Sequence, residues 1–272
     1  MKEFLLTNKV ILITGANGLI GREVADAVGS AGANLALLDM ASKDEMNNYA
    51  IELSEKYSIN SKSYCANITD TDQINLIVNE IIDSFGRIDV LINLAAIDAK
   101  FDKDIDEVPK TAFEDFPMDL WRKSIEVNMT GTFNVTQQVV RKMLKQKGGN
   151  IINVASTYSL VSPNQNLYKF DGEGEQLFKP VDYVATKSML PNFTRYLATF
   201  YGKKGIRVNT IVPHGVVNNA SDKFIRNFSK LSPLGRMCNK AELRGPFIFL
   251  ASDASSYMTG STLMVDGGWT AW

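Results

Sequence analysis

The chain reads as one α/β domain, residues 1–272, built on a doubly wound sheet of about seven parallel strands with helices on both faces. Three observations carry this reading. Short apolar runs alternate with longer stretches of helical spacing, the pattern of right-handed βαβ units. The runs "VILI" and "LALL" are apolar without alternation, as strands covered on both faces are. No repeat, low-complexity tract or linker interrupts the chain, so one domain is the simplest count.

In chain order, the expected strands are Val10–Ile13, Leu35–Leu38, Ser63–Cys65, Val90–Ile92, Ile151–Val154, Arg207–Ile211 and Leu263–Val265. Between them, helical spacing predicts helices over Leu19–Ser30, Lys43–Tyr57, Asp70–Phe85, Leu120–Lys147, Val181–Lys203 and Lys240–Ser252. Two connections, Ala95–Met118 and Thr157–Pro180, exceed the roughly 2–6 residues of an ordinary βα loop. Both follow strands and so lie at the carboxyl edge of the sheet, where open α/β folds bind ligands.

Composition narrows the function. The chain has 272 residues, 45% of them hydrophobic, enough to bury a large core without disulfides. With 29 basic and 30 acidic residues, net −1, it carries no charge signature of nucleic acid or an anionic membrane surface. There is no run of 18 apolar residues, and "VILI" passes directly into a glycine loop, so the amino-terminal region reads as a strand rather than a signal peptide. A cytoplasmic protein with two reduced thiols, Cys65 and Cys238, is expected. His214 is the only histidine, which rules out a His-rich metal site and a Ser-His-Asp triad; no metal is expected.

The first strand runs into "ITGANGLIG", residues 13–21. Gly15 makes the tight turn, Gly18 lets the backbone approach a pyrophosphate, and Gly21 lets the helix pack on the strand. The helix N-terminus then offers free N–H groups to phosphate. Asp39 follows the second strand, 18 residues after Gly21. A carboxylate there accepts hydrogen bonds from ribose hydroxyls and repels a 2′-phosphate. No arginine flanks it in "DMASK", so NAD is favoured over NADP.

"YVATK" places Tyr183 and Lys187 four residues apart, on one face of a helix. A phenol with a pKa near 10 is a poor base at neutral pH, and a nearby ammonium stabilises its phenolate. Such a pair can take the proton of an alcohol as hydride leaves its carbon.

From about Asn8 to its end the chain resembles the short-chain dehydrogenase/reductase family, in its classical branch with a single Rossmann domain. The resemblance rests on "TGANGLIG", Asp39, "GRIDVLINLAA", "NMTGTF", "IINVAS", "YVATK", "IRVNTIVPHG" and "ASDASSYMTGSTLMVDGGW". It implies that Tyr183 is the acid/base, that Lys187 also holds the nicotinamide ribose, and that Ser156 bonds the reacting oxygen. It also implies that Asn128 supports a water relaying protons to Lys187. The cofactor-contacting set it implies is Gly15, Asn17, Gly18, Leu19, Ile20, Gly21, Asp39, Asn67, Ile68, Asn93, Ala95, Tyr183, Lys187, Pro213, Gly215 and Val216. By the same resemblance, Leu120–Lys147 and Val181–Lys203 form the intersubunit bundle of a homodimer or homotetramer.

Several departures matter. The glycines are spaced TGxxGxxG, as in the extended branch of sugar-nucleotide enzymes, with Leu19 expected to face the core. Only about 60 residues follow Pro213, too few for that branch's substrate domain. "NLAA" stands for "NNAG", Asn67 for the usual acid near adenine, "PHG" for "PG", and Asn218 for a threonine near the carboxamide. His214 is read either as facing the substrate or as a solvent-facing loop residue. Ser159 rivals Ser156 as the catalytic serine. Trp121, Trp269 and Trp272 are read as packing or interface residues. Pro191 is expected to kink its helix.

The serine-to-tyrosine gap is 27 residues, against about a dozen in the simple pattern. Its insertion carries Asn164, Gln165, Asn166, Lys169, Asp171, Glu173, Glu175 and Gln176, which suit a hydroxyl-rich substrate. The insertion and the "GGWTAW" ending resemble a subgroup found in bacterial surface-sugar pathways, such as those of flagellin-modifying nonulosonic acids. The expected activity is NAD-dependent interconversion of a secondary alcohol and a ketone on a polar, carbohydrate-like small molecule. Two alternatives stand beside it: a nucleotide-sugar dehydratase or epimerase that retains NAD, and a catalytically idle NAD-binding sensor or scaffold.

Overall fold

Seven strands pair side by side, all parallel, in the order β3-β2-β1-β4-β5-β6-β7. The computed structural model describes residues 2–98, 111–168 and 177–272. The strands are β1 (Val10–Thr14), β2 (Asn34–Asp39), β3 (Ser61–Cys65), β4 (Val90–Asn93), β5 (Gly149–Val154), β6 (Ile206–Pro213) and β7 (Thr262–Val265). The helices are α1 (Leu19–Ser30), α2 (Lys43–Tyr57), α3 (Thr71–Phe85), α4 (Met118–Ser124), α5 (Thr132–Lys145), α6 (Val181–Tyr201), α7 (Asp222–Leu231) and α8 (Arg244–Ala251).

Every residue of β1 and β4 is buried, and the sheet side chains divide by parity between two cores. Ile11, Ile13, Leu35 and Leu37 pack with residues of α1, α2 and α8. Leu12, Ala36 and Leu38 pack on the other face with residues of α3, α5 and α6. This double coverage is why the strand sequences show no polar alternation. The strand order reverses between β1 and β4, which opens a crevice at their carboxyl ends.

A polar row crosses the sheet just beneath that crevice. Thr14 stands in register with Asn93, Asn93 with Asn153, and Asn153 with Thr210. Asn93 Nδ2 donates to Asn153 Oδ1 and to Thr136 Oγ1, both at 2.9 Å. Asn153 Nδ2 donates to Thr194 Oγ1 at 2.8 Å, and the Thr210 hydroxyl donates to the same oxygen at 2.7 Å. Thr136 lies on α5 and Thr194 on α6, so the row ties both helices to the sheet. Apart from Asn93 Oδ1, which has no partner among the described residues, the side-chain groups of the row are paired, and such pairing fixes their arrangement.

Three elements differ from the sequence reading. The helix expected over Leu120–Lys147 is α4 and α5 joined by a π-helical segment, Ile125–Gly131, with Asn128 inside it. Periodicity of 3.6 does not register a turn that widens locally to i→i+5. The stretch expected to start a helix at Lys240 begins as a 3-10 turn, Lys240–Leu243, capped reciprocally by Asn239 and Glu242, before α8. Helix α7 was not expected, although Ser221 caps it and Phe224, Ile225, Phe228 and Leu231 recur at helical spacing. Helix α6 runs unbroken through Pro191.

Candidate active site

The glycine loop closes on itself. Gly15 has φ +69°, and a Cβ there would lie 2.8 Å from Ala95 Cα. A Cβ on Gly21 would lie 2.1 Å from Gly15 O. Both glycines are therefore required by the fold, and Gly15 is what lets β4's exit, at Ala95, pass close to the loop. Gly18 differs: a Cβ there would meet only Gly15 O, at an ordinary 3.4 Å. It caps α1 with no side-chain hydrogen bond, so an open cradle lies at a helix N-terminus, the kind of place that takes a phosphate. Leu19 does not face the core as expected. It is 38% exposed. Ile20 is half-buried against the α1–α2–α8 core.

Asp39 ends β2 with its carboxylate aimed by backbone amides. Oδ2 accepts from Asn17 N at 2.9 Å and Oδ1 from Ala41 N at 3.0 Å. An arginine does come near, though none flanks Asp39 in sequence. Helix α1 carries Arg22 back over the loop, where Nε donates to Asn17 Oδ1 at 2.9 Å and the guanidinium bonds Glu45 at 3.0 Å. Glu45 balances that charge. Asn67 spends its Oδ1 on Thr69 N at 3.1 Å, and the Ile68 carbonyl accepts from Asn134 Nδ2 at 2.8 Å. Asn93 is placed below the crevice with its Nδ2 used inside the protein, as described above. Thr14 Oγ1 accepts from Leu94 N and Ala95 N, which holds the β4 exit against the glycine loop.

On the other side of the crevice, α6 brings Tyr183 and Lys187 to the end of β5. The Ser156 hydroxyl lies near enough to the Tyr183 phenol to favour its phenolate. Ser159 is not its rival: its hydroxyl donates to the Ser156 carbonyl. Burial, with the Asp98 carboxylate nearby, pushes the Tyr183 pKa up, and the Ser156 hydroxyl opposes the rise. Lys187 stands one turn further along the same helix. Its Nζ lies 5.8 Å from the Tyr183 ring centre and donates to Val154 O at 2.9 Å. Burial brings Lys187 itself down to about 8. Asn128 uses its whole amide locally. Oδ1 accepts from Ile97 N at 2.8 Å, while Nδ2 donates to Ile97 O at 3.0 Å and to Thr186 Oγ1 at 3.1 Å.

The cation closest to Tyr183 is one the sequence did not single out. Lys179 Nζ sits 4.1 Å from the Tyr183 ring centre and is paired with Asp98. No motif marks either residue, since they are distant in sequence and lie in the two long insertions. Of the polar insertion residues, Asn164, Gln165 and Asn166 are described, whereas Lys169, Asp171, Glu173, Glu175 and Gln176 lie outside the described residues.

Pro213 closes β6, and Gly215 takes φ +57° under the Phe228 ring. Val216 bridges to Cys238 and Asn218 is exposed. His214 is not solvent-facing, and it lines a cavity with Phe228, Met237 and Met264. It is 8% exposed, hydrogen-bonded through Nδ1 to Thr157, and packed among Tyr158, Phe228 and Trp269. Burial lowers its pKa to about 4. The neutral ring is thus kept in the folded state, while the unfolded chain takes a proton below about 6.5. Stability attributable to this difference is complete above pH 6.5 and lost as pH falls towards 4, by roughly 3 kcal/mol in all. In urea titrations between pH 7 and pH 4.5, His214→Phe should flatten the acid limb; an unchanged slope would contradict the burial argument.

Cys65 and Cys238 are free. Among the described residues, no group of three or more His, Cys, Asp or Glu is placed to hold a metal, and no helix is long and apolar enough to cross a membrane.

Comparison with known proteins adds a family to this geometry. A family profile described as enoyl-(acyl carrier protein) reductase matches residues 15–270. An NAD-dependent glycerol dehydrogenase from Listeria innocua is 31% identical over 99% of this chain and 96% of its own. A 3-oxoacyl-(acyl-carrier-protein) reductase from Aquifex aeolicus is 31% identical over 98% of this chain and 99% of its own. Among solved structures, a gluconate 5-dehydrogenase from Burkholderia cenocepacia, in complex with NADP and tartrate, superposes with a TM-score of 0.85. It is 28% identical and covers 99% of this chain and 98% of its own. With the serine, tyrosine and lysine of the sequence motifs gathered at the carboxyl edge of a seven-stranded parallel sheet, the chain belongs to the short-chain dehydrogenase/reductase family, oxidoreductases that act on alcohol or carbonyl groups with NAD(P).

Proposed function

We propose that the protein is an NAD-dependent dehydrogenase that interconverts a secondary alcohol and a ketone on a polar, polyhydroxylated small molecule. The observation that carries this is the meeting of Ser156, Tyr183 and buried Lys187 at the end of β5, across the crevice from the Asp39-anchored glycine loop. The relatives named for glycerol and gluconate support the substrate class. The acyl-carrier-protein reductase relative is the competing reading. The polar composition of the second long insertion, with Asn164 and Asn166 among its described residues, favours hydroxyl groups over an acyl chain.

NAD fits the site. The open cradle at Gly18 and the uncapped start of α1 would take the pyrophosphate, with Leu19 and Ile20 beside it. Asp39 would take the ribose hydroxyls, and its charge, together with Glu45 on Arg22, disfavours a 2′-phosphate. Asn67, Ile68 and the Asn93–Ala95 backbone would line the adenosine side, and Pro213, Gly215 and Val216 the nicotinamide side. The bound nicotinamide supplies the hydride acceptor or donor.

The chain's own residues handle the proton. Ser156 holds the reacting oxygen, and Tyr183 takes the proton from an alcohol or gives it to a ketone. With its pKa raised, Tyr183 is protonated at neutral pH, the form that ketone reduction needs. Lys187 supplies a nearby donor, and Asn128 holds Ile97 and Thr186 around the proposed proton-relay position. The protein acts in the cytoplasm as a homodimer or homotetramer; exposed Phe133, Tyr196 and Phe200 on α5 and α6 offer the apolar face for assembly. A role in surface-sugar metabolism rests on the long insertion and the "GGWTAW" ending.

The test is nicotinamide reduction by purified protein with a panel of polyols and sugars, run with NAD and with NADP. Turnover of a polyol with NAD at least about 10-fold more efficient than with NADP is expected. Equal use of both removes the role given to Asp39, and turnover of acyl thioesters alone moves the assignment to the reductase reading.

A further inference from the structure

The Asp98–Lys179 pair stands beside the reacting phenol, yet the chemistry above does not use it. Lys179 is buried, its side chain 8% exposed, whereas the Asp98 side chain is 41% exposed. Lys179 Nζ bonds both Asp98 oxygens, Oδ1 at 2.6 Å, and lies 4.1 Å from the Tyr183 ring centre. One ammonium thus fixes the carboxylate next to the catalytic ring.

Both residues are held from behind. Asn128 bonds the N–H and the carbonyl of Ile97, the residue before Asp98. Gln165 bonds the N–H of Lys179 at 2.8 Å and its carbonyl at 3.3 Å. Phe178 N donates to Thr111 Oγ1 at 2.8 Å, joining the strut to the first insertion. The pair is a braced feature where both insertions meet, not a loose surface ion pair.

A carboxylate has about four acceptor sites, and a single ammonium does not use them all. We propose that Asp98 is a substrate-binding residue that accepts hydrogen bonds from a hydroxyl group next to the reacting carbon, with Lys179 as its positioning residue. The subsite therefore selects neutral vicinal polyols or sugars. It disfavours substrates bearing a carboxylate at that end, because an ionised carboxylate has no proton to donate to the acceptor sites that Asp98 offers. This rests on the dehydrogenase reading above and narrows it: the gluconate-type acid is excluded in favour of the neutral polyol.

The experiment compares wild type, Asp98→Asn and Lys179→Met with NAD. The neutral probes are glycerol, erythritol, xylitol and sorbitol; the single-hydroxyl probe is 2-pentanol; the acid probe is gluconate. In wild type, kcat/KM for the best neutral polyol should exceed that for gluconate at least 10-fold. In Asp98→Asn, the ratio of kcat/KM for that polyol to kcat/KM for 2-pentanol should fall about 10-fold or more, mainly through KM, the scale of one hydrogen bond to a charged acceptor. Lys179→Met should move the same ratio in the same direction.

A ratio unchanged in Asp98→Asn, or wild type that prefers gluconate, overturns the subsite and leaves the dehydrogenase reading standing. No turnover of any probe by wild type overturns both. Should Asp98→Asn fail to fold, the polyol-to-gluconate preference of wild type and the Lys179→Met ratio decide the matter.

Discussion

Replacing Tyr183 with phenylalanine should leave NAD binding intact and cut turnover at least ~100-fold, the contribution of a positioned general acid/base. The substitution removes one oxygen. The ring remains for the Lys179 ammonium, which sits over its face at 4.1 Å, so the surroundings stay packed. What is lost is the hydroxyl near Ser156, on the only tyrosine with a lysine four residues on. Burial raises the pKa of that phenol, so in alcohol oxidation the active phenolate form grows with pH, and the charged groups facing it set where. Asp98 works against the phenolate, Tyr158 does the same, and the Ser156 hydroxyl favours it. Steady-state kinetics with saturating NAD and NAD titration by fluorescence separate the two effects. Activity within ~10-fold of wild type would remove Tyr183 from the proton step.

The second large effect divides two glycines that look alike in sequence. Gly21→Ala places a methyl carbon 2.1 Å from Gly15 O, a backbone atom that cannot swing away. The first turn of α1 must shift, at a cost of about 1–3 kcal/mol or more, and the cradle shifts with it. Gly18→Ala meets nothing closer than 3.4 Å, so the protein should melt within about 2 °C of wild type. If the pyrophosphate uses the cradle, Gly18→Ala should nevertheless weaken NAD at least ~10-fold, since the methyl group occupies the space left by the missing side chain. Thermal melts and NAD titrations of both variants decide this. A Gly18→Ala protein that binds NAD normally would mean that the cofactor does not approach the loop there.

The centre of the sheet was legible because its strands are covered on both faces, which writes an uninterrupted apolar run into the chain. Val10–Thr14 and Val90–Asn93 are the clearest cases. Helix α2 was legible to the residue, helped by the Ser42 cap and by Ser58 at φ 54° ending it. The π segment around Asn128 was not, because a local widening to i→i+5 leaves no mark in a 3.6-residue periodicity. Helix α7 was written in its own amphipathic spacing and was passed over.

By itself, the sequence determined the fold class and the glycine turn with its acid, because these depend on local periodicity and on motifs within one βα unit; its resemblance to a known family added Ser156 to Tyr183 and Lys187 as the expected set. The tertiary structure decided what spacing along the chain cannot encode. It turned Leu19 outward and buried His214 among Tyr158, Phe228 and Trp269. It also brought Arg22 to Asn17 and set Lys179, paired with Asp98, closer to Tyr183 than Lys187 is. The physical reason is the same each time. Charge, burial and hydrogen bonding act over a few ångströms in space, and the residues that meet there come from elements far apart in the chain.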